Sequence, residues 1–203
     1  MVGFGLCLGL LSLAYAGEPP VTASGNYKDW ERLIDVLEIV QPFKLADYGE
    51  LVILPLDTSA TPLPKESDNT YEPTVKSLGR TSSILISEIK EKVGSKISVL
   101  TAENDQEISK VISKQNVLVL KGKVSEMNPG SRALRYFVGF GAGKTRVEFE
   151  GELLEFPGNK PLLKFKHARV SAMGAFGGDY DKFLDDDSRD VSKDLGQMLI
   201  NFK

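Results

Sequence analysis

The chain has 203 residues, 41% of them hydrophobic and 26% charged, with 25 basic against 28 acidic side chains. That is the composition of an ordinary globular domain with one core, and it excludes a disordered or collagenous chain. A net charge of −3 and a sequence pI near 5.4 offer no basic field to a phosphate backbone, so nucleic acid is not an expected partner.

From the amino end, Val2 to Leu13 is apolar or small without a charge, and Ala14-Tyr15-Ala16 follows with small residues at its first and third positions. This reads as a secretory signal peptide over residues 1–16, cleaved before Gly17. A membrane anchor needs about 20 apolar residues, and Glu18-Pro19-Pro20 interrupts the run too early. The single cysteine, Cys7, follows Phe4-Gly5-Leu6, where bulky Leu6 occupies a place that lipidation reserves for a small residue. Residues 17–203 contain no cysteine, so a disulfide, a thiol nucleophile and a Cys-ligated metal are excluded there.

Trp30, Leu33, Ile34 and Leu37 fall at i, i+3, i+4 and i+7, which predicts a helix ending before Pro42 and makes residues 17–50 an N-terminal helical segment. A single domain is expected from residue 51 to 203. Leu51 to Leu56 predicts a strand, and the stretch from Asp57 to Pro73, with Pro62, Pro64 and Pro73, a long loop. Helical spacing of Leu78, Leu85, Ile86, Ile89 and Val93 predicts a helix from Thr74 to Val93, stopped by Gly94. A strand at Ile97 to Leu100 and a short helix from Glu103 to Lys114 follow. The unbroken apolar run Val117 to Leu120 predicts a strand buried on both faces, continuing to Val124.

The period then changes to two. Asn128-Pro129-Gly130 is a turn, Arg132 to Val138 a strand, and Gly139 to Gly143 a glycine-rich connection. From Thr145 to Phe156, Val147 and Phe149 point one way while Arg146, Glu148, Glu150 and Glu152 point the other, so this strand has a wet face. Pro157-Gly158-Asn159 is a hairpin turn and Leu162 to Val170 the returning strand. Met173 to Gly178 is a second glycine-containing segment. Val191, Leu195, Met198, Leu199 and Phe202 predict a docked terminal helix. The order implies an α+β fold, with one mixed, largely antiparallel sheet and helices mainly on one face.

Four chemistries fail when their motifs are laid on these residues. Gly139 to Thr145 is one residue short of a phosphate-binding loop, because Val138 stands where its first glycine belongs, and a strand follows instead of a helix. A dinucleotide fingerprint has Lys144 at its third glycine position. His167 is the only histidine, and there is no Gly-x-Ser-x-Gly elbow for a serine hydrolase. The acidic run Asp179, Asp181, Asp185, Asp186, Asp187 puts Leu184 where a calcium loop needs glycine; it suits the residues preceding a helix instead. No cofactor, metal or nucleotide is expected.

The stretch from Pro129 through Gly130-Ser131-Arg132, Arg135 and Gly139-Phe140-Gly141-Ala142-Gly143 to Lys144 resembles the signature of a bacterial family of exported proteins, many of them lipoproteins, described as domain of unknown function DUF4410. The likeness extends from Leu51 to the C-terminus and is specific over residues 129–145. It implies an envelope location and a fold, and no reaction. Arg132 and Arg135 differ by an odd number, so on a regular strand they project from opposite faces, one as a clamp on a carboxylate or on loop carbonyls. Arg132, Arg135, Gly139, Gly141 and Gly143 are thus a structural or interaction signature and not a catalytic set.

The sequence therefore points to a non-enzymatic binding or assembly factor of the periplasm or cell envelope. Its expected partners are an envelope protein or a second copy, with peripheral membrane association. A periplasmic hydrolase of carboxylate type is the alternative. Mass spectrometry of the exported protein is expected to show Gly17 as the first residue and Cys7 absent; a retained or lipidated Cys7 contradicts this.

Overall fold

A computed structural model describes residues 20–130, 144–171 and 179–203. Seven strands form one sheet: β1 (Gly25–Trp30), β2 (Ile34–Ile39), β3 (Glu50–Ile53), β4 (Ser98–Thr101), β5 (Val117–Asn128), β6 (Thr145–Phe156) and β7 (Lys160–Ser171). Their spatial order is β1-β2-β7-β6-β5-β3-β4. All neighbours are antiparallel except β3, which pairs in parallel with both β5 and β4. Among the described residues three α-helices accompany them: α1 (Tyr71–Val93), α2 (Ile108–Val111) and α3 (Tyr180–Asn201). The fold is α+β with a single mixed, largely antiparallel sheet, as expected.

Strand β5 sets the layering. Leu118 and Leu120 enter the main core with Leu51, Ile53, Val147, Phe149 and the helix residues Leu85, Ile89, Leu195 and Leu199. Val117 and Val119 point the other way, into a smaller cluster with Val52, Leu54, Ala102, Ile108 and Leu154. The run is buried on both faces, as its lack of alternation predicts. Beyond Leu120 only the helix-bearing face stays dry.

Helices α1 and α3 pack on each other, and each buries small residues: Thr74, Ser77 and Thr81 on α1, Ser188, Ser192 and Gly196 on α3. Most of these hydroxyls are satisfied within their own helix. Thr74, Thr81, Ser188 and Ser192 each donate to the carbonyl four residues back, at 2.7–3.1 Å. A methyl at Gly196 would stand 2.9 Å from Cβ of Lys92.

The N-terminal helix expected from Trp30 to Leu37 does not form. Those residues are the hairpin β1–β2, with Trp30 opposite Ile34. Asp29, Glu31 and Arg32 take φ of 49°, 53° and 56°, and this left-handed turn brings Trp30, Ile34 and Leu37 to the core from two strands instead of one helix. Since β2 also pairs with β7, these residues belong to the common sheet. Trp30 stacks on Phe202 at 5.8 Å, and Phe202 on Phe43 at 4.4 Å, which ties the hairpin to the end of the chain.

The helix expected from Glu103 to Lys114 is confined to a 3-10 turn, Asp105–Glu107, and to α2. Its continuation is diverted. The buried Glu50 carboxylate accepts from Ser113 N–H at 2.9 Å, Ser113 Oγ at 2.6 Å and Lys114 N–H at 3.2 Å. Helix α1 starts at Tyr71, earlier than its apolar stripe, because Pro73 is tolerated in a first turn.

Glycines report the tightness of two places. A Cβ on Gly151 would lie 2.3 Å from Lys121 O and 2.7 Å from Phe165 Cζ, whereas one on Gly79 meets nothing within 4 Å. Gly151→Ala is expected to cost about 3 kcal/mol, and Gly79→Ala, in the interior of α1, to gain up to about 1 kcal/mol. Opposite shifts in melting temperature check the pair.

Candidate functional site

The segments that stood out in the sequence attach at one end of the sheet. Strand β5 ends at Asn128, β6 starts at Thr145, β7 ends at Ser171 and α3 starts at Tyr180. The Pro-rich loop joins them along β5: Asp57 N–H donates to Gly122 O at 2.9 Å, Val124 N–H to Asp57 O at 2.9 Å, and Thr61 Oγ1 to Val124 O at 2.7 Å. Between loop and strand end lies an open concavity of about 620 Å³, lined among others by Leu63, Thr70, Met127, Lys144 and Glu148. Leu63 is 44% exposed on its rim.

Beneath this pole lies a buried carboxylate. Asp187 of α3 is 1% exposed; it accepts from Thr145 Oγ1 at 2.6 Å and from Ser171 Oγ. The same Thr145 Oγ1 lies 3.2 Å from Ser171 O. The start of β6, the end of β7 and the second turn of α3 are thereby fastened at one point.

The wet face carries a lattice of alternating charge across β2, β7, β6 and β5. Registry places Glu38, Lys164, Glu152 and Lys121 in one row, and Lys166, Glu150 and Lys123 in the next. Lys166 bridges Glu148 at 2.7 Å and Glu150 at 2.9 Å, Lys123 meets Glu150 at 3.1 Å, and Arg146 joins Glu148 at 2.5 Å to Glu126 at 2.8 Å. Glu148 is nearly buried, and Ser125 Oγ also donates to it at 2.8 Å. Burial alone would raise its carboxyl, but the donors Lys166, Ser125 and Arg146 outweigh that and hold it below the ordinary range. Hydrogen bonds from Lys166 and Lys123 hold Glu150 low as well. The middle of this face is a shallow trough of about 600 Å³ floored by the backbone of Gly122 and Gly151.

His167, on the opposite face, is 3% exposed. Asp35 places its N–H 3.4 Å and its Oδ2 3.3 Å from Nδ1, and Asp194 Oδ2 lies 2.9 Å from Nε2. Arg169 Nε donates to the same oxygen at 2.6 Å. The histidine joins β7, β2 and α3, and its nitrogens are spent in that joint.

The sequence candidates fare differently. Arg132, Arg135, Gly139, Gly141 and Gly143 lie outside the described residues, as does the segment 172–178. Thr145 opens a strand and its hydroxyl serves Asp187, so neither the helix nor the free hydroxyl of a phosphate loop is present there. The acidic run does not precede the terminal helix: only Asp179 is its N-cap residue, and the others lie in its first turns. There Asp181 and Asp185 face α1, with Lys76 2.8 Å from Asp181 and Arg80 at 3.2 and 2.8 Å from the two. Helical phase turns Asp187 inward, away from these partners. Its burial and that of Glu148 were not foreseen; the only signal was position on an element whose neighbours were unknown.

These features define a class: an α+β domain with hydrogen-bonded carboxylates in its interior and with the described ends of its two glycine-bearing segments at one end of the sheet. The chain belongs to the family described as Domain of unknown function (DUF4410), whose model matches residues 57–175. Among curated proteins none matches the sequence. Solved structures similar to it include the PelC dodecamer of Paraburkholderia phytofirmans, at 13% identity over 78% of this chain and 96% of that one, TM-score 0.47. Others are the hypothetical protein CT253 of Chlamydia trachomatis, at 12% identity over 74% and 88%, TM-score 0.38, and lipoprotein GNA1162 of Neisseria meningitidis, at 13% over 63% and 88%, TM-score 0.37.

Because Glu148 and Glu150 are held low in the folded state, their contribution is complete above the unfolded carboxylate range and is lost as pH falls through their folded values. Stability is therefore expected to decline below about pH 5. Glu148→Gln should cost about 1–2 kcal/mol at neutral pH, the partners being half exposed, and should flatten that decline. Urea unfolding at several pH values measures both.

Proposed function

We propose that the protein is a non-enzymatic binding or assembly factor of the cell envelope, exported by its amino-terminal signal, whose docking surface is the pole where the Pro-rich loop meets the ends of β5, β6 and β7. One observation carries this reading: the buried Asp187 carboxylate fastens β6, β7 and α3 where the chain enters and leaves its two glycine-bearing segments. A rigid frame at the points where such segments join is the arrangement of a recognition surface. The buried carboxylates Glu50, Glu148 and Asp187 each accept hydrogen bonds from named donors, which is how structural acids are held.

The rival hydrolase reading has one place to stand. Asp179 is raised by its hydrogen bond to Asp181 and by burial, while Asp181 is lowered by that bond and by Lys76, so the two carboxyls are pushed apart.

The test compares wild type with Leu63→Asp and Lys144→Glu as bait in envelope extract. A partner retained by wild type and reduced about tenfold by either variant, with melting unchanged, is the expected result. An envelope substrate hydrolysed by wild type and spared by Asp181→Asn would replace this reading with the rival one.

A further inference from the structure

The end of the sheet away from the pole is built differently. There the row Ser98, Glu50, Val117, Phe156 runs in register across β4, β3, β5 and β6, and Lys160 opens β7 opposite Glu155. The segments around this row carry exposed lysines. Lys96 precedes β4, and Lys114 precedes β5, its Cγ 2.9 Å from the place a Cβ on Gly49 would take. Lys90 and Lys92 lie in the last turn of α1. Lys44 and Lys203 flank the hydrogen bond from Leu45 N–H to Phe202 O.

None of these seven lysines forms an ion pair among the described residues, whereas Lys121, Lys123, Lys164 and Lys166 of the wet face each have a carboxylate within 3.2 Å. The carboxylates set among the seven are Asp47, Glu91, Glu155 and Glu50, the last buried and bound by Ser113 and Lys114. This end therefore holds seven of the chain's 25 basic side chains and four of its 28 acidic ones, a local positive excess on a chain of net charge −3.

We propose that this lysine-bearing end is an electrostatic docking surface for a bilayer containing anionic phospholipid. Residue type selects the occupant, because none of the chain's arginines lies in these segments. Guanidinium forks serve anions of fixed shape, and lysine is depleted where proteins dock on proteins. An ammonium on a flexible stem is a point charge, and it suits a layer of headgroups that hold no fixed positions. Breadth agrees with this: the five strands from β4 to β7 set the lysines across about 19 Å, wider than a single phosphate or carboxylate group. The bound chain presents the pole away from the lipid. That consequence rests on the docking reading; lipid binding itself does not.

Co-sedimentation of the exported chain with vesicles tests the proposal. At low ionic strength the chain should bind mixed phosphatidylglycerol–phosphatidylcholine vesicles, ignore pure phosphatidylcholine, and be released at about 0.5 M salt, where charges are screened within a few ångströms. Lys44→Gln, Lys96→Gln and Lys160→Gln should each weaken binding about fivefold, and the triple variant should abolish it with its melting curve retained. The paired control Lys65→Gln and Lys182→Gln, which removes unpaired lysines from the Pro-rich loop and the first turn of α3, should leave binding unchanged. A chain that ignores the anionic vesicles overturns the proposal. Binding weakened as much by the control as by the other variants overturns it too, since it then follows net charge and no particular surface. Retention on an anionic polysaccharide matrix without vesicle binding gives these lysines to a soluble polyanion and overturns the lipid assignment.

Discussion

Four residues in the middle of the chain, Val117 to Leu120, impose the architecture. A strand apolar on both sides must be covered on both sides, and the chain meets that demand with α1 and α3 on one face and the Ala102–Ile112 segment on the other. The same strand is where the sheet changes from antiparallel to parallel pairing. Past Leu120 the sequence alternates, the second cover is no longer required, and the charged trough opens. Dry wall, wet face and pole are consecutive consequences of one strand changing its pattern partway along.

Most of the fold was legible because it is written in long, regular periods. The stripes of α1 and α3 and the alternation of β6 survive in the structure because packing and propensity agree there. The hairpin β1–β2 was illegible for a specific reason. Its turn residues, Glu31 and Arg32, adopt a left-handed backbone without the glycine or asparagine that normally signals one, and the resulting spacing of Trp30, Ile34 and Leu37 imitates a helix. The short α2 misled in another way. Nothing in Ser113-Lys114 announces that Glu50, far away in sequence, will claim their backbone donors.

The site was legible only in part. Sequence composition marked the Pro-rich loop and the glycine segments, and the structure brings the described ends of all three together. It could not tell which carboxylates are interior. Glu148 and Glu150 occupy equivalent positions in the alternation, yet one is nearly buried and the other is not, because Ser125 and the local bulge of β5 close over the first. Asp187 and Asp186 are neighbours in an acidic run, and helical phase alone sends one inward to Thr145 and the other to Arg189.

Phe202 is sandwiched between Trp30 and Phe43, and its carbonyl accepts Leu45 N–H at 2.7 Å. With β2 resting on β7, the hairpin of the two earliest strands has no place in the common sheet until the last 40 or so residues arrive. A chain delivered amino end first therefore spends most of its delivery without a closed core. Such a polypeptide suits a route that threads it through a narrow opening as an open string, and it leaves the tightening of the whole to a single late event.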